Sequence, residues 1–270
     1  MKRSSVRIRS SLPRPRLYKR VFLCGYEKTC YNGCGIHPLY RIGLFRPFTF
    51  KEGDVLRYRL SYRVLGMSTK VADAEFIFSG TNFNGREAMN IANVNKVTGI
   101  FGKFFRPVDT IYSVVDPSAA KPLYFYRGDS QRENPLLEQY HYNWSSGTAE
   151  AVYLKNDGEY MSGSAALSET TCDYVTLIGS LIPTYDFDEM LVGHRLTIEI
   201  VTRIEVIPVE LTFKGFSGDN MVFSAVPLKG KVMRECADAP MTVKIKKGPE
   251  QRLSVLEVPM VVGTLVVTAR

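Results

Sequence analysis

The stretch "DVLRYRLSYRVL", Asp54–Leu65, decides the fold because it alternates strictly between two kinds of side chain. The apolar positions are Leu56, Tyr58, Leu60, Tyr62 and Val64. The positions between them are Arg57, Arg59, Ser61 and Arg63. A period of two, with aromatic and aliphatic residues on one side, predicts a β-strand that has one buried and one solvated face.

The same alternation continues outward from this stretch. "VADAEFIFSG" places Phe76 and Phe78 on one face, and the Asn84–Gly85 pair that follows predicts a hairpin turn. "RLTIEIVTRIEVIPVELTFKG", Arg195–Gly215, is long enough for two strands or for one strand bent at Pro208. About ten to twelve strands at this short spacing are typical of an antiparallel sandwich or barrel.

One segment, "CDYVTLIGSLIPTYDF", has a helical pattern. Its apolar residues at helical spacing are Tyr174, Leu177, Ile178 and Leu181. Asp173 is a natural N-cap and Pro183 a stop signal, so we predict a short helix packed on the sheet. The predicted fold class is all-β with one or two short helices, built on a large curved antiparallel sheet that forms a half-barrel or open barrel. Residues 1–46 are predicted to be a basic, largely irregular extension, and residues 47–270 a single antiparallel β domain.

The positive charge of the chain is concentrated at its N-terminus. Residues 1–46 contain eleven Lys or Arg and one acid, Glu27, so they carry +10 of a whole-chain net charge of +8. Residues 47–270 therefore have a net charge of −2 and lack the basic face that nucleic-acid binding requires. The longest uncharged apolar run, Val258–Ala269, is too short to cross a bilayer, so no transmembrane segment is predicted.

Three of the five cysteines and one of the three histidines lie close together near the N-terminus. The candidate metal ligands are Cys24, Cys30, Cys34 and His37. Their spacing, C-x5-C-x3-C-x2-H, matches only part of a structural zinc pattern. The alternatives are disulfides, a lipid attached at Cys24, or no specific role, and we favour the last. The apolar run before Cys24 is shorter than the roughly 7–15 residues of an export signal.

The two remaining cysteines, Cys172 and Cys236, are far apart in sequence. They can be bridged to each other in an oxidising compartment, or each can be buried separately as a small apolar residue. We favour separate burial.

No set of catalytic residues can be assembled from the sequence. The G-x-S-x-G elbow and the two glycine-rich phosphate loops are absent. His141 alternates with Gln139 and Asn143, which predicts a solvent-facing polar row without the partner that a catalytic base needs. Asp109 and Asp116 face opposite sides of a strand, and we expect them to fix turns. We therefore predict no catalytic residue and no cofactor, and an enzyme is the less favoured interpretation.

Four stretches in this order carry a family resemblance: "FKEGDVLRYRLSY", "VDTIYSVVD", "CDYVTLIGSL" and "LEVPMVVGTLVV". The matching positions are Gly53, Asp54, Leu56, Tyr58, Tyr62, Asp109, Tyr112, Ser113, Asp116, Val258, Pro259, Gly263, Thr264 and Leu265. Together they resemble the bacterial envelope family called domain of unknown function 3108. The resemblance implies a periplasmic or outer-envelope protein with no known activity. It also implies similarity to curved half-barrels of the lipoprotein-carrier type.

Three functions are compatible with these observations. The first is a non-enzymatic protein of the cell envelope whose curved sheet binds an apolar or lipid-like ligand, or an envelope partner. Its candidate ligand-binding residues are Leu56, Tyr58, Leu60, Tyr62, Phe76 and Phe78. The second is a structural or interaction protein, which predicts a filled interior and an exposed apolar patch or strand edge. A hydrolase acting on envelope polymers is the third and least favoured.

Overall fold

A computed structural model of the chain describes residues 46–98, 110–129, 136–154, 158–187, 190–230 and 236–270. These residues form one sheet of fifteen strands and a short helix. The strands are β1 (Val55–Val64), β2 (Met67–Phe83), β3 (Arg86–Val97), β4 (Thr110–Asp116), β5 (Lys121–Asp129), β6 (Leu136–Asn143), β7 (Thr148–Leu154), β8 (Tyr160–Ala166), β9 (Thr171–Cys172), β10 (Arg195–Thr202), β11 (Glu205–Ser217), β12 (Asn220–Pro227), β13 (Met241–Lys246), β14 (Arg252–Pro259) and β15 (Thr264–Ala269). The helix, which we call the central helix, consists of α1 (Tyr174–Thr176), a π-helical turn (Leu177–Leu181) and α2 (Ile182–Thr184).

The order of the strands in the sheet follows the order of the chain. β1 lies in the middle, where it pairs with β2 on one side and with β15 on the other. Each strand from β2 to β8 pairs with the next one in sequence, and the same holds from β15 back to β10. These pairs are antiparallel, whereas β9 pairs in parallel with β10. The sheet is therefore built mainly from successive hairpins, as the turn signals in the sequence predict.

The two outer edges of the sheet lie close to each other. β8 and β9 are at opposite ends of the strand order, yet only residues 167–170 connect them. The turn between β10 and β11 also reaches the far part of the sheet, because the Arg203 N–H donates a hydrogen bond to the Glu138 carboxylate. A methyl group added to Gly163 of β8 would lie 3.4 Å from Ile204 Cβ. The sheet is thus strongly curved, but among the described strands no backbone ladder closes it.

The central helix packs on the concave side of this sheet. Val175, Leu181 and Ile182 are buried and belong to the same apolar cluster as the inward side chains of the strands. The helix approaches closely at Gly179, where an added methyl group would lie 3.0 Å from the Ile91 side chain. Glycine therefore permits the close contact between helix and sheet at this point.

The predicted fold class is confirmed, with more strands than expected. The sequence pattern misses β3 and β8, because Asn, Ala, Ser and Gly interrupt the apolar alternation there. It also misses β9, because a strand of two residues is too short to show any alternation. The hairpin at Asn84–Gly85 is confirmed, and both residues have the positive φ that it requires. Arg195–Gly215 forms two strands that join at Arg203–Ile204, and Pro208 lies inside β11. The predicted domain boundary stays a prediction, since residues 1–45 lie outside the described residues.

The predicted helix is confirmed, but its buried face differs from the expected one. Tyr174, Leu177 and Ile178 are only half-buried, whereas the polar Thr176 and Ser180 are fully buried. The π-helical turn in the middle of the helix is the reason, since it changes the angular spacing on which the prediction rested.

Candidate functional site

The six predicted ligand-binding residues lie on β1 and β2, where most of them pack against the protein's own core. Leu56, Tyr58, Phe76 and Phe78 are buried, and Leu60 and Tyr62 are partly buried. The rings of Tyr58 and Phe76 meet edge to face with centroids 5.7 Å apart, and Phe78 stacks on Phe50 at 4.2 Å. Four of the six residues are therefore core residues, and their role in ligand binding stays a prediction.

Gln251 attaches the end of the central helix to the start of β14. Its side-chain amide donates to the carbonyl oxygens of Ile182 (2.6 Å) and Tyr185 (2.7 Å), which satisfies carbonyls that the helix leaves open. The amide oxygen of Gln251 and the Tyr58 hydroxyl are buried without a hydrogen-bond partner among the described residues. Burial raises the pKa of Tyr58 far above its usual value, so this hydroxyl stays neutral.

Asp173 is a fully buried carboxylate that fixes the start of the central helix. Its Oδ1 accepts from the backbone N–H groups of Val175 and Thr176 (both 2.9 Å) and from the Ser113 hydroxyl at 2.6 Å. Its Oδ2 accepts from the Thr176 hydroxyl at 2.8 Å and from the more distant Tyr142 hydroxyl at 3.4 Å. Burial raises the pKa of Asp173, and the hydrogen bonds oppose that effect. Both oxygens are thus engaged in holding the helix to β4 and β6.

Glu138 is a second buried carboxylate, and it links β6 to the β10–β11 turn. It accepts from the Tyr140 hydroxyl and from the Arg203 N–H, and the Arg127 guanidinium lies 3.7 Å from its Oε2. Burial raises the pKa of Glu138, while the Arg203 N–H and Arg127 act in the opposite direction. The hydrogen bonds of Asp173 and Glu138 therefore join separate elements of the fold, which gives both buried acids a structural role.

The predicted metal ligands Cys24, Cys30, Cys34 and His37 lie outside the described residues, so their roles stay predictions. Within the described ranges, no group of three or more His, Cys, Asp or Glu side chains is placed to hold a metal ion. Cys172 is a free, buried thiol whose pKa is raised by burial, and Cys236 is also buried. The disulfide alternative for this pair is therefore not realised.

The other polar predictions can be placed in the same way. His141 is exposed beside buried Tyr140 and Tyr142, which confirms the predicted solvent-facing row. Asp116 accepts from the Ser118 N–H at 2.8 Å and from its hydroxyl at 2.6 Å, which confirms its role in a turn. Asp109 lies outside the described residues. In the part of the chain that the structure describes, no helix has the length and apolar character needed to span a membrane.

A set of exposed apolar side chains lies at one end of the sheet, where β1 ends and β15 begins. We call Leu65, Met67, Val261 and Val262 the tip patch. Their exposed fractions are 93%, 70%, 75% and 62%, respectively. A contiguous group of exposed apolar residues is unusual on a soluble surface and commonly marks an interaction site.

The two turns of the tip patch lie side by side. Arg63 of β1 pairs with Thr264 of β15, and the Tyr62 hydroxyl donates to the Val262 carbonyl oxygen. Gly263 has a φ of +81°, and a methyl group there would collide with the Arg63 carbonyl, so only glycine permits this approach. The Met260 N–H donates to the Gly263 carbonyl oxygen at 3.0 Å. The turn therefore satisfies several of its backbone polar groups internally.

Leu65 has an unfavourable backbone conformation in addition to its exposure. It occupies the first position of a two-residue hairpin with a φ of +48°, and Gly66 follows with +79°. Positive φ is disfavoured for residues with a Cβ, and Asn or Gly is the usual choice at such a position. Neither burial nor backbone preference explains a leucine here, which makes Leu65 a candidate functional residue.

A surface cavity of about 200 Å³ lies at the same end of the sheet. It is lined mainly by small and apolar residues, among them Val226, Pro227, Ala237, Pro240 and Met241. It adjoins the tip patch, since Ala237 donates its N–H to the Pro259 carbonyl at 2.9 Å, just before the β14–β15 turn. This volume is smaller than that of typical ligand pockets, which hold about 300–1,000 Å³. The cavity is therefore an extension of the apolar surface at this end of the sheet and is too small to be a typical ligand pocket.

Sequence reasoning missed the tip patch. The sequence pattern predicts a strand that continues through Val261 and Val262 to Gly263, whereas β14 ends at Pro259 and these two valines lie in the turn before β15. The Leu65–Gly66 pair does not match the common Asn-Gly or Asp-Gly turn signal. The glycine at Gly263 was the one available signal, because an isolated glycine in a strand pattern marks a bulge or a turn.

Comparison with known protein families identifies the class of protein. Residues 57–269 match the family described as protein of unknown function (DUF3108). The chain therefore belongs to this family, as the resemblance of its motifs predicts. No curated protein and no solved structure matches the chain, so the expected similarity to lipoprotein-carrier half-barrels stays a prediction.

Proposed function

We propose that this chain is a non-catalytic lipid-binding protein of the cell envelope, in the periplasm or at the outer envelope, that docks on a lipid layer through the tip patch. The observation that carries this proposal is Leu65, which is 93% exposed on a left-handed backbone. A residue that is unfavourable for folding in both respects is most simply explained by an interaction outside the folded chain. The cell-envelope setting rests on the family resemblance alone.

The chemistry of the patch favours a lipid layer over a protein surface. All four side chains are aliphatic or thioether, whereas hot spots of protein interfaces are enriched in Trp, Tyr and Arg. The patch consists of two adjacent turns at the end of the sheet, a form that suits insertion between lipid head groups. The Val262 and Gly263 carbonyl oxygens accept hydrogen bonds from within the protein, as groups that enter an apolar phase must.

The sheet and its core form the support for this patch. The predicted ligand-binding residues other than Tyr62 pack with the central helix in one cluster, so a ligand inside the curve would have to displace core side chains. Docking at the tips needs no such rearrangement. The lipid-like ligand of the prediction is therefore assigned to the end of the sheet and not to its concave face.

The proposal is tested by the binding of the intact chain to phosphatidylcholine vesicles, followed by co-sedimentation. Wild-type protein is expected to sediment with the vesicles. Leu65→Asn removes about one aliphatic side chain of apolar surface, worth roughly 1.5–3 kcal/mol when fully buried, and should weaken binding about tenfold or more. Because Asn accepts positive φ, this variant should fold at least as well as the wild type.

The matched control is Leu191→Asn. Leu191 is 67% exposed and lies just before β10, at the opposite end of the sheet, so its loss should leave vesicle binding unchanged. A wild-type chain that does not sediment with vesicles contradicts the proposal. So does a Leu65→Asn variant that binds as the wild type does, or an equal loss in both variants.

A further inference from the structure

A row of aromatic side chains lies on the outer face of the sheet, across β2, β4, β5 and β6. We call Phe83, Tyr112, Tyr124, Tyr126 and His141 the tyrosine row. Strand alternation places it outside, because the adjacent residues Phe125 and Tyr140 are buried inside and stack with centroids 4.9 Å apart. The first four members are half-buried and His141 is exposed. Five rings thus lie within reach of solvent on one side of the sheet.

Contacts between the rings fix their positions. Tyr112 lies with its centroid 5.4 Å from that of Tyr126 and 5.9 Å from that of Tyr124. Tyr124 in turn lies 4.7 Å from His141 and 6.2 Å from Phe83. The Tyr126 ring lies over Gly128, where a methyl group would overlap it. The row is therefore pre-organised, which lowers the entropy cost of binding a ligand.

The immediate neighbours of the three tyrosines are uncharged, whereas charged residues lie at the two ends of the row, where Arg86 pairs with Phe83 and Glu150 pairs with His141. The residues paired with Tyr112, Tyr124 and Tyr126 on the neighbouring strands include Ala92, Val114 and Gln139. Burial raises the pKa of Tyr112, and burial together with the neighbouring tyrosines raises that of Tyr124 to about 12. Both hydroxyls are therefore neutral at physiological pH and can donate or accept hydrogen bonds.

The outer face of the middle strands is different, although it belongs to the same sheet. Charged residues there form cross-strand pairs: Arg57 with Glu75 (3.1 Å), Arg63 with Glu257 (3.6 Å) and Arg270 with Asp73 (3.3 Å). Such pairs are the ordinary way to solvate an outward sheet face. Local loss of charge combined with aromatic enrichment is instead typical of the centre of an interaction surface.

From these observations we propose that the tyrosine row binds an uncharged glycan chain. A sugar ring presents both an apolar C–H face and hydroxyl groups. Aromatic rings match the first, and the polar groups of Gln139, His141 and the tyrosines match the second. A nucleic acid or another phosphate polymer would need cations beside the three tyrosines, whose cross-strand partners are uncharged. This inference does not depend on the proposed lipid binding, because the row and the tip patch share no residue.

The experiment is a calorimetric titration of the intact chain with neutral oligosaccharides of increasing length. Cello-, manno-, malto- and N-acetylchito-oligosaccharides serve as probes, and we expect at least one series to bind, with affinity rising with length until the row is covered. Tyr112→Ala and Tyr126→Ala should each weaken that binding about tenfold. Gln139→Ala removes no ring and should weaken it less. Leu65→Asn should have no effect.

Tyr160→Ala is the matched control, since Tyr160 is an exposed tyrosine of β8 outside the row. Its binding should equal that of the wild type. The proposal is overturned if none of the four series binds, or if the two row variants bind as well as Tyr160→Ala does. Binding of oligothymidylate to the row would assign it to nucleic acid instead. Self-association that Tyr112→Ala abolishes would assign it to a second copy of the chain, and either result also overturns the proposal.

Discussion

Asp173 and Leu65 each lie in a part of the molecule where the opposite type of side chain is usual. Asp173 is an acidic residue in the interior, and it receives hydrogen bonds from Ser113, Val175 and Thr176, with Tyr142 further away. Leu65 is an apolar residue at the surface, and its side chain is almost wholly exposed. Buried polar groups normally have partners, so Asp173 follows the rules of folding, whereas Leu65 departs from them.

This contrast separates the residues that build the sheet from those available for function. The interior around the central helix is explained by burial, hydrogen bonding and close packing at Gly179. The tip patch and the tyrosine row are not explained in this way, because their side chains are not needed to complete the core. Departures from local folding rules are expected at functional sites. The functional residues of this protein are therefore expected on its outer surface.

The largest effect on stability that we predict is that of Asp173→Ala. The variant loses the N-cap of the central helix and leaves the buried hydroxyls of Ser113 and Thr176 without their acceptor. We expect the free energy of unfolding to fall by about 3 kcal/mol or more, from cap and buried-group terms together. Urea denaturation monitored by circular dichroism measures it.

Asp116→Ala is the control for that measurement. Asp116 also accepts two hydrogen bonds, from the Ser118 N–H and hydroxyl, but in an exposed turn. We expect a loss below about 1 kcal/mol, because solvent replaces these bonds. Equal losses of unfolding free energy in Asp173→Ala and Asp116→Ala would contradict the prediction that the buried hydrogen bonds of Asp173 matter more for stability than exposed ones.

A smaller effect, dependent on pH, is predicted for Glu138→Gln. Burial raises the pKa of Glu138 in the folded chain, so the folded state binds this proton more tightly than the unfolded state does. The stabilisation is fully present below the unfolded pKa of about 4.3 and is lost as the pH rises through the folded pKa. The wild type should therefore gain stability relative to Glu138→Gln, by about 1 kcal/mol, as the pH falls through that window.

Unfolding of both proteins by urea at a series of pH values measures this difference. Acids that do not interact with Glu138 titrate alike in both chains, so their contribution cancels in the subtraction. Asp173 is the exception, because its charge also raises the pKa of Glu138. A difference that stays constant with pH, or that shrinks as the pH falls, contradicts the assignment of a raised pKa to Glu138.

The sequence predicts the architecture well wherever burial controls the residue pattern. The alternation in β1 and β2 and the Asn84–Gly85 turn all follow from local physics, and the structure confirms them. β3 and β8 were missed because their inward positions include small or polar residues such as Asn93 and Gly163. Residues of the neighbouring strands and of the β10–β11 turn bury these positions in the folded chain. The sequence of β3 or β8 alone therefore does not show that the segment is a strand.

The candidate sites are less visible in the sequence, because each depends on residues that meet only in the folded chain. Leu65 and Val262 are far apart in sequence and become neighbours through the pairing of β1 with β15. The tyrosine row combines residues from four strands, although its outward position on β6 was predicted through His141. Of the two buried acids, only Asp173 could be given a role from the sequence, as an N-cap. The burial of Glu138 could not be predicted, because it depends on the distant turn that contains Arg203.

The smallest effect we predict concerns two hairpins that share one backbone form. Leu65–Gly66 and Asn84–Gly85 are both two-residue turns, with φ values of +48° and +79° in the first and +53° and +82° in the second. Asn tolerates this conformation better than Leu, so Leu65→Asn should raise the free energy of unfolding by about 0.5–1 kcal/mol. Asn84→Leu should lower it by a similar amount, and urea denaturation of both variants measures the pair. A Leu65→Asn variant that is less stable than the wild type would mean that the exposed leucine stabilises the fold. The position of Leu65 would then no longer support an interaction outside the folded chain.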